Sequence, residues 1–293
     1  MIMSHPSPLV QKFWQEGTLQ DCPIIDVHGH WGPMPGGYLP AAPEKKMMAS
    51  LERSGVKHII CSSHDSLFGD PEDGNALMQA AIRRYPGRIS GYWAVNPNYP
   101  DLVHRAALDF EKSEGFVGFK ILPDYHGCSA TAAPYQPLFE YANARHLPVM
   151  IHTWGGSTFN SPQRIDELAG RYPEAVLIMG HSGFGDWAVS AEIARRRPNV
   201  YLDLTACYAA HDFGMLPGGS GTPLPLMSQP HVSGVTEFLV EQAGSEKVFF
   251  GTDMPWYSPF YVLGSILFAR INDDARRDIL YRNAQRLFNL KIV

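Results

Sequence analysis

The chain has 293 residues, of which 45% are hydrophobic and 18% charged, with a formal charge of −5. This balance fits a water-soluble protein with a large core and argues against a nucleic-acid face, which needs clustered positive charge. No uncharged apolar run is long enough to span a bilayer, and residues 1–20 lack the basic–apolar pattern of a signal peptide. Four scattered cysteines (Cys22, Cys61, Cys128, Cys207) with no C-x-x-C read as reduced thiols in a cytoplasmic protein.

Residues 1–20 read as a leader holding an amphipathic turn or helix around Leu9, Val10, Phe13 and Trp14. Strand one is expected over Pro23–Val27, followed by a Gly/Pro-rich loop, a helix over Glu44–Ser54 stopped by Gly55, and strand two over Val56–Cys61. The next elements are a helix Asn75–Tyr85, strand three Ile89–Val95, a helix Leu102–Lys112 and strand four Phe116–Leu122. A helix Tyr135–Arg145 leads to strand five, Leu147–Ile151, which delivers His152. A helix Arg164–Arg171 leads to strand six, Ala175–Met179, which delivers His181. A helix Trp187–Arg196 and strand seven, Val200–Leu204, precede a long Gly/Pro-rich stretch over 205–230 that reads as a substrate-facing loop or a surface contact. The series ends with a helix Val232–Gln242, strand eight Val248–Phe250 delivering Asp253, and a closing helix Ala275–Phe288.

Eight strand-then-helix units in series predict a parallel (β/α)₈ barrel, whose functional residues lie at the C-terminal ends of its strands. His28 and His30 project to one face, because residues i and i+2 of a strand share a side. With Lys120, His152, His181 and Asp253 they mark one mouth of the barrel. Three histidines and a carboxylate form a donor set for Zn²⁺ or a related divalent ion, with one position open. Aromatic and imidazole groups also follow strand ends: Trp31, Tyr125, His126, Trp154, Tyr208, His211, Trp256 and Tyr257. Such a rim suits a planar or ring-containing organic acid, and Lys120, His126, Trp154 and Trp256 are the expected substrate-binding residues.

Taken in order, this set resembles the amidohydrolase superfamily. Asp26-x-His28-x-His30, Gly180-His181 and Gly251-Thr252-Asp253-Met254-Pro255 resemble its amidohydrolase-2 branch, over a span from Ile25 to about Phe288. The resemblance implies a distorted (β/α)₈ barrel, here one domain over 1–293, with one divalent metal favoured and two allowed at its mouth. His28, His30, His152 and Asp253 match the ligands. His181 matches a histidine that activates or orients the metal-bound water, or binds a second metal. Lys120 is expected as a carbamylated bridge to that second metal, as a cation for a substrate carboxylate, or as the buried partner of Asp124 or another acid. The family's habits also imply a homo-oligomer.

Metal-activated water attacking an amide, ester or lactone, with His181 and Asp253 moving the proton, is the reaction expected first. The alternative is non-oxidative decarboxylation of an aromatic or unsaturated acid at the same site. A non-catalytic metal-binding scaffold is a third reading. It leaves His181 and Lys120 without a purpose.

Overall fold

The computed structural model describes residues 7–19, 21–207 and 234–291. Its strands are β1 (Ile24–Trp31), β2 (Val56–Ser63), β3 (Ile89–Ala94), β4 (Phe116–Ile121), β5 (Pro148–Trp154), β6 (Val176–Phe184), β7 (Val200–Asp203) and β8 (Val248–Phe249). All pair in parallel in the order β1 to β8. The segment after β8 returns to β1. Val27 N–H donates to Phe250 O (3.0 Å), and Asp253 N–H donates to His28 O (2.8 Å). The sheet is thus a nearly closed (β/α)₈ barrel, as expected.

Around it run α1 (Pro8–Glu16), α2 (Glu44–Ser54), α3 (His64–Phe68), α4 (Pro71–Arg84), α5 (Pro100–Lys112), α6 (Pro123–His126), α7 (Gln136–Arg145), α8 (Pro162–Arg171), α9 (Trp187–Arg196), α10 (Val235–Ala243), α11 (Pro259–Leu267), α12 (Asp273–Arg277) and α13 (Asn283–Phe288). Among the described residues no helix is long and apolar enough to cross a membrane.

Side-chain alternation sorts the core into two layers. Ile24, Ile59, Phe119, Ile151, Leu177 and Leu202 face outward to the helices. Ile25, Val27, Ile60, Tyr92, Met150, Ile178 and Phe249 fill the barrel interior, and Ala284 and Phe288 of α13 close its floor. The same period then carries polar groups upward. His152 follows Met150 on β5, and Lys120 sits inward between outward Phe119 and Ile121 on β4.

Several expected boundaries move. β1 continues to Trp31, because Gly29, His30 and Trp31 still pair with Cys61, Ser62 and Ser63 of β2. His28 and His30 therefore lie inside a ladder and not beyond it. β5 and β6 likewise extend through His152 and His181. α4 begins at Pro71, where the Asp70 side chain caps Glu72 and Asp73 N–H, earlier than the hydrophobic periodicity indicates. Three short elements had no signal in the periodicity: α3, α6 and α11. The closing helix begins at Asp273 and passes through a π-helical turn, Asp278–Arg282, before α13. Most of the expected 205–230 loop, with Tyr208 and His211, falls outside the described residues, as do residues 1–6 of the leader.

Candidate metal centre

The centre is built from five strands, β1, β4, β5, β6 and β7, and the turn after β8. Two irregularities aim its histidines. In β1 the register slips between Asp26 and Gly29, which turns His28 and His30 to the interior and Gly29 outward against Ile59. In β6 three residues, His181, Ser182 and Gly183, intervene between the partners of His152 and Trp154, and all three have left-handed φ (61°, 49° and 63°). Asp253 is left-handed too, at φ 62°. Non-glycine residues held there cost free energy and cluster where function demands an aim the regular strand cannot give. Thr153 staples the β6 bulge: its hydroxyl donates to Gly180 O and accepts from Gly183 N–H at 3.0 Å.

Two glycines make room for the rings. A Cβ on Gly180 would lie 3.0 Å from His28 Cε1, and one on Gly251 would lie 2.3 Å from Thr205 Oγ1 and 3.0 Å from His28 Cβ.

Within this frame the donors form one connected cluster. Lys120 Nζ donates to His28 Nε2 at 2.8 Å, and His28 Nδ1 meets Asp203 Oδ2 at 2.7 Å. His30 Nε2 lies 2.9 Å from Asp253 Oδ1, and His181 Nε2 lies 3.0 Å from His152 Nδ1. His181 Nδ1 faces Thr205 O at 3.2 Å. The donors of His28, His181 and Asp253 all fall within 4.8 Å of one another. The expected quartet thus overlaps the tightest trio in His28 and Asp253, while His30 joins through Asp253 and His152 through His181.

The partners fix the protons. A carbonyl can only accept, so His181 holds its proton on Nδ1 and presents a lone pair at Nε2. His152 Nδ1 must then donate, leaving His152 Nε2 as a lone pair. The Lys120 ammonium can only donate, so His28 Nε2 accepts and its proton sits on Nδ1 toward Asp203. An ionised carboxylate can only accept, so His30 carries its proton on Nε2, and its buried Nδ1 has no hydrogen-bond partner.

Charge follows burial. Burial pushes His28 down to about 4, reinforced by Lys120, and likewise lowers His30 and His152, so all three imidazoles are neutral at pH 7. Burial opposes ionisation of Asp253, yet the His30 hydrogen bond and the surrounding rings hold it well below the usual carboxylate range. Asp203, equally buried, is also held low by His28. Lys120 is brought down to about 8 by burial, with Asp253 and Asp203 opposing. Neutral imidazoles converging on an ionised carboxylate, with one buried ring nitrogen orphaned, are a donor set that fits a divalent metal.

The expected aromatic rim is partly present. Trp154 stacks on Phe184 (4.3 Å) and His152 (5.8 Å), and exposed Tyr125 packs edge-on to His152 (5.3 Å). Trp256 sits at the rim and donates to His64 Nε2 at 3.0 Å. Two expectations fail. His126 spends both ring nitrogens on structure, Nε2 against Leu67 O (3.2 Å) and Nδ1 against Tyr135 OH (3.0 Å), so it has no donor left for a substrate. Trp31 turns outward against Tyr85. Lys120 does not pair with Asp124 either, since Asp124 accepts from Ser157 Oγ at 2.5 Å and Lys120 faces His28.

Two site residues escaped the sequence reading. Asp203 follows inward Tyr201 by two on β7, a period-two signal that was there to be read. His64, which opens α3, stacks on His30 at 5.0 Å and donates from Nδ1 to Gly32 O (2.7 Å); nothing local in the sequence marks it.

A barrel whose mouth gathers such donors defines a metal-dependent enzyme class. The Amidohydrolase family model (Amidohydro_2) matches residues 25–290, and the chain belongs to that family. Among curated proteins it is similar to a gamma-resorcylate decarboxylase from Polaromonas sp. (strain JS666), with 22% identity and 83% of each chain covered. Among solved structures it is similar to 5-carboxyvanillate decarboxylase from Sphingomonas paucimobilis (TM-score 0.64, 16% identity, 92% of this chain and 100% of that one). A dihydroxybenzoic acid decarboxylase from Polaromonas sp. JS666, solved with manganese and 2-nitroresorcinol, is also similar (TM-score 0.63, 15% identity, 93% and 98%). These relatives break carbon–carbon bonds. The hydrolytic reaction expected first is thereby corrected, because a metal, a histidine and an aspartate at a barrel mouth serve either reaction and the ligand motif does not discriminate. The expectation of zinc has no support from the related structures, of which those described with a metal hold manganese.

Proposed function

We propose that this chain is a metal-dependent, non-oxidative decarboxylase of an aromatic or unsaturated carboxylic acid. Lys120 carries the reading. It is a buried ammonium held against the His28 imidazole, where it offers the substrate carboxylate a fixed positive charge in a poorly solvated space. The decarboxylating relatives support the same reaction.

In this reading His28, His30, His152 and Asp253 hold the divalent metal, with manganese the first ion to try. When bound, that ion supplies a Lewis-acidic point that polarises a substrate oxygen. The chain's own groups do the rest. Trp154 and Tyr125 grip the flat substrate, and Trp256 narrows the rim. Lys120 pairs with the carboxylate and His181 faces the reacting carbon. As the carbon–carboxyl bond breaks, its electron pair stays on the substrate carbon and CO₂ departs. His181 Nε2, whose lone pair first takes up a proton from solvent, delivers that proton to the vacated position and returns to its lone-pair state.

The test is CO₂ release by the Mn²⁺-loaded full chain from a panel of hydroxybenzoates and unsaturated acids. At least one is expected to be decarboxylated. His181→Asn is expected to lose about 10²-fold or more in kcat with its metal content retained. A metal-loaded protein that releases CO₂ from no aromatic or unsaturated acid ends the proposal.

A further inference from the structure

We infer that Asp203 is a positioning residue that sets the ring of His28 and the backbone of His181 at once, and thereby the affinity of the site for its metal. The inference rests on His28 being a metal ligand and does not depend on which reaction follows.

Asp203 is fully buried and its carboxylate is divided between two duties. Oδ2 accepts from His28 Nδ1–H at 2.7 Å. Oδ1 accepts from the backbone N–H of His181 (2.8 Å) and of Thr205 (3.0 Å). The first bond holds the His28 proton on Nδ1 and leaves the Nε2 lone pair aimed at the centre. The second holds His181 in its left-handed conformation at φ 61°. A ligand imidazole whose far N–H is held by a carboxylate is fixed in tautomer and orientation and is a stronger base. Here one carboxylate does this for β1 while anchoring the bulge of β6. The left-handed Ser182 beside it closes the arrangement by donating its hydroxyl to Asp203 O.

Asp203→Asn separates the two duties. The amide oxygen can remain on the His181 and Thr205 N–H groups. The amide nitrogen, which only donates, then meets His28 Nδ1 and forces it to accept. The His28 proton moves to Nε2, where it opposes both Lys120 and a metal.

The experiment has two readouts on the full chain after chelator treatment. Histidine-selective ¹⁵N labelling, with the His28 signal assigned by its loss from His28→Gln, reads the tautomer. Titration with Mn²⁺, followed by electron paramagnetic resonance of the free ion, reads the affinity. The expected result is an Nδ1–H tautomer in wild type, Nε2–H in Asp203→Asn, and Mn²⁺ binding weakened about 10–100-fold in the variant. Asp203→Glu keeps a carboxylate acceptor and is expected to restore Nδ1–H. An Nε2–H tautomer in wild type overturns the inference with no variant needed, as does an Asp203→Asn protein that binds Mn²⁺ like wild type; both leave the metal reading standing. A wild type that binds no Mn²⁺ overturns the ligand assignment itself, and the inference falls with it.

Discussion

At the scale of single residues, the site depends on side chains that are missing as much as on those present. Gly251 is the sharpest case. A methyl group there would sit 2.3 Å from Thr205 Oγ1, 3.0 Å from His28 Cβ and 3.5 Å from Asp203 Cγ. Two of these neighbours are held in place, His28 by Asp203 and Lys120, and Asp203 by two backbone N–H groups. Overpacking a closed interior forces side chains off their rotamers at a cost of about 1–3 kcal/mol. Gly251→Ala is therefore expected to lower stability by that amount in denaturant melts and to weaken Mn²⁺ binding in the same protein, because the displaced ring is that of a proposed ligand. Unchanged metal affinity alongside full stability would show that the pocket around His28 has slack that the packing does not display.

At the scale of elements, strand alternation places most of the site and irregularity finishes it. Lys120 and His152 stand where a period of two puts them, Lys120 inward between outward Phe119 and Ile121, and His152 two residues after inward Met150. His181 does not: it owes its aim to the bulge at 181–183, which Thr153 holds through Gly180 O and Gly183 N–H. Thr153→Val keeps the shape and removes both bonds, leaving a buried N–H unsatisfied. Such a loss costs about 1–3 kcal/mol. The expected outcome is a stability loss of that size together with a fall in kcat larger than any change in KM, as a misplaced His181 affects proton delivery more than substrate capture. A variant that loses stability but keeps kcat would place the control of His181 elsewhere. The same contrast explains what the sequence made legible. The barrel and the histidines at its mouth follow from repeated patterns, and so does the family motif. The bulge does not, because nothing in Gly180-His181-Ser182-Gly183 distinguishes three left-handed residues inside a strand from a strand followed by a turn. Asp203 was readable by its period but hidden by its type, since an aspartate at a strand end passes for a turn residue. His64 was hidden for a different reason: its importance arises from stacking on His30, a contact between the start of α3 and β1.

At the scale of the whole molecule, the barrel is also fastened by buried neutral histidines outside the donor cluster, and this ties its stability to pH. His58 joins the start of β2 to the turn before β3 and to β3 itself, with Nδ1 on Gly87 O (3.0 Å) and Nε2 on Ser90 Oγ (3.0 Å). His126 joins α6 to α3 and to Tyr135. Burial lowers the pKa of His58 and brings that of His126 down to about 4, against about 6.5 in an unfolded chain. Below pH 6.5 the unfolded chain therefore binds protons that the folded barrel refuses, and stability falls as pH falls. The contribution is fully present above pH 6.5 and, for His126, is lost progressively down to about 4. Each such group adds a slope of at most about 1.4 kcal/mol per pH unit within its window. His126→Gln can still donate to Leu67 O and accept from Tyr135 OH, but it does not titrate. At pH 7 the variant is expected to be less stable than wild type, because an amide replaces a packed ring. Between pH 6.5 and 4.5 the gap should narrow, as wild type loses stability that the variant never had. Urea midpoints for both proteins at pH 7.0, 5.5 and 4.5, measured on chelator-treated samples so that metal release does not contribute, give the comparison. A gap that stays constant across that range would mean that His126 takes up its proton while folded, and the two hydrogen bonds that fasten the rim to α3 and Tyr135 would then have to be drawn differently.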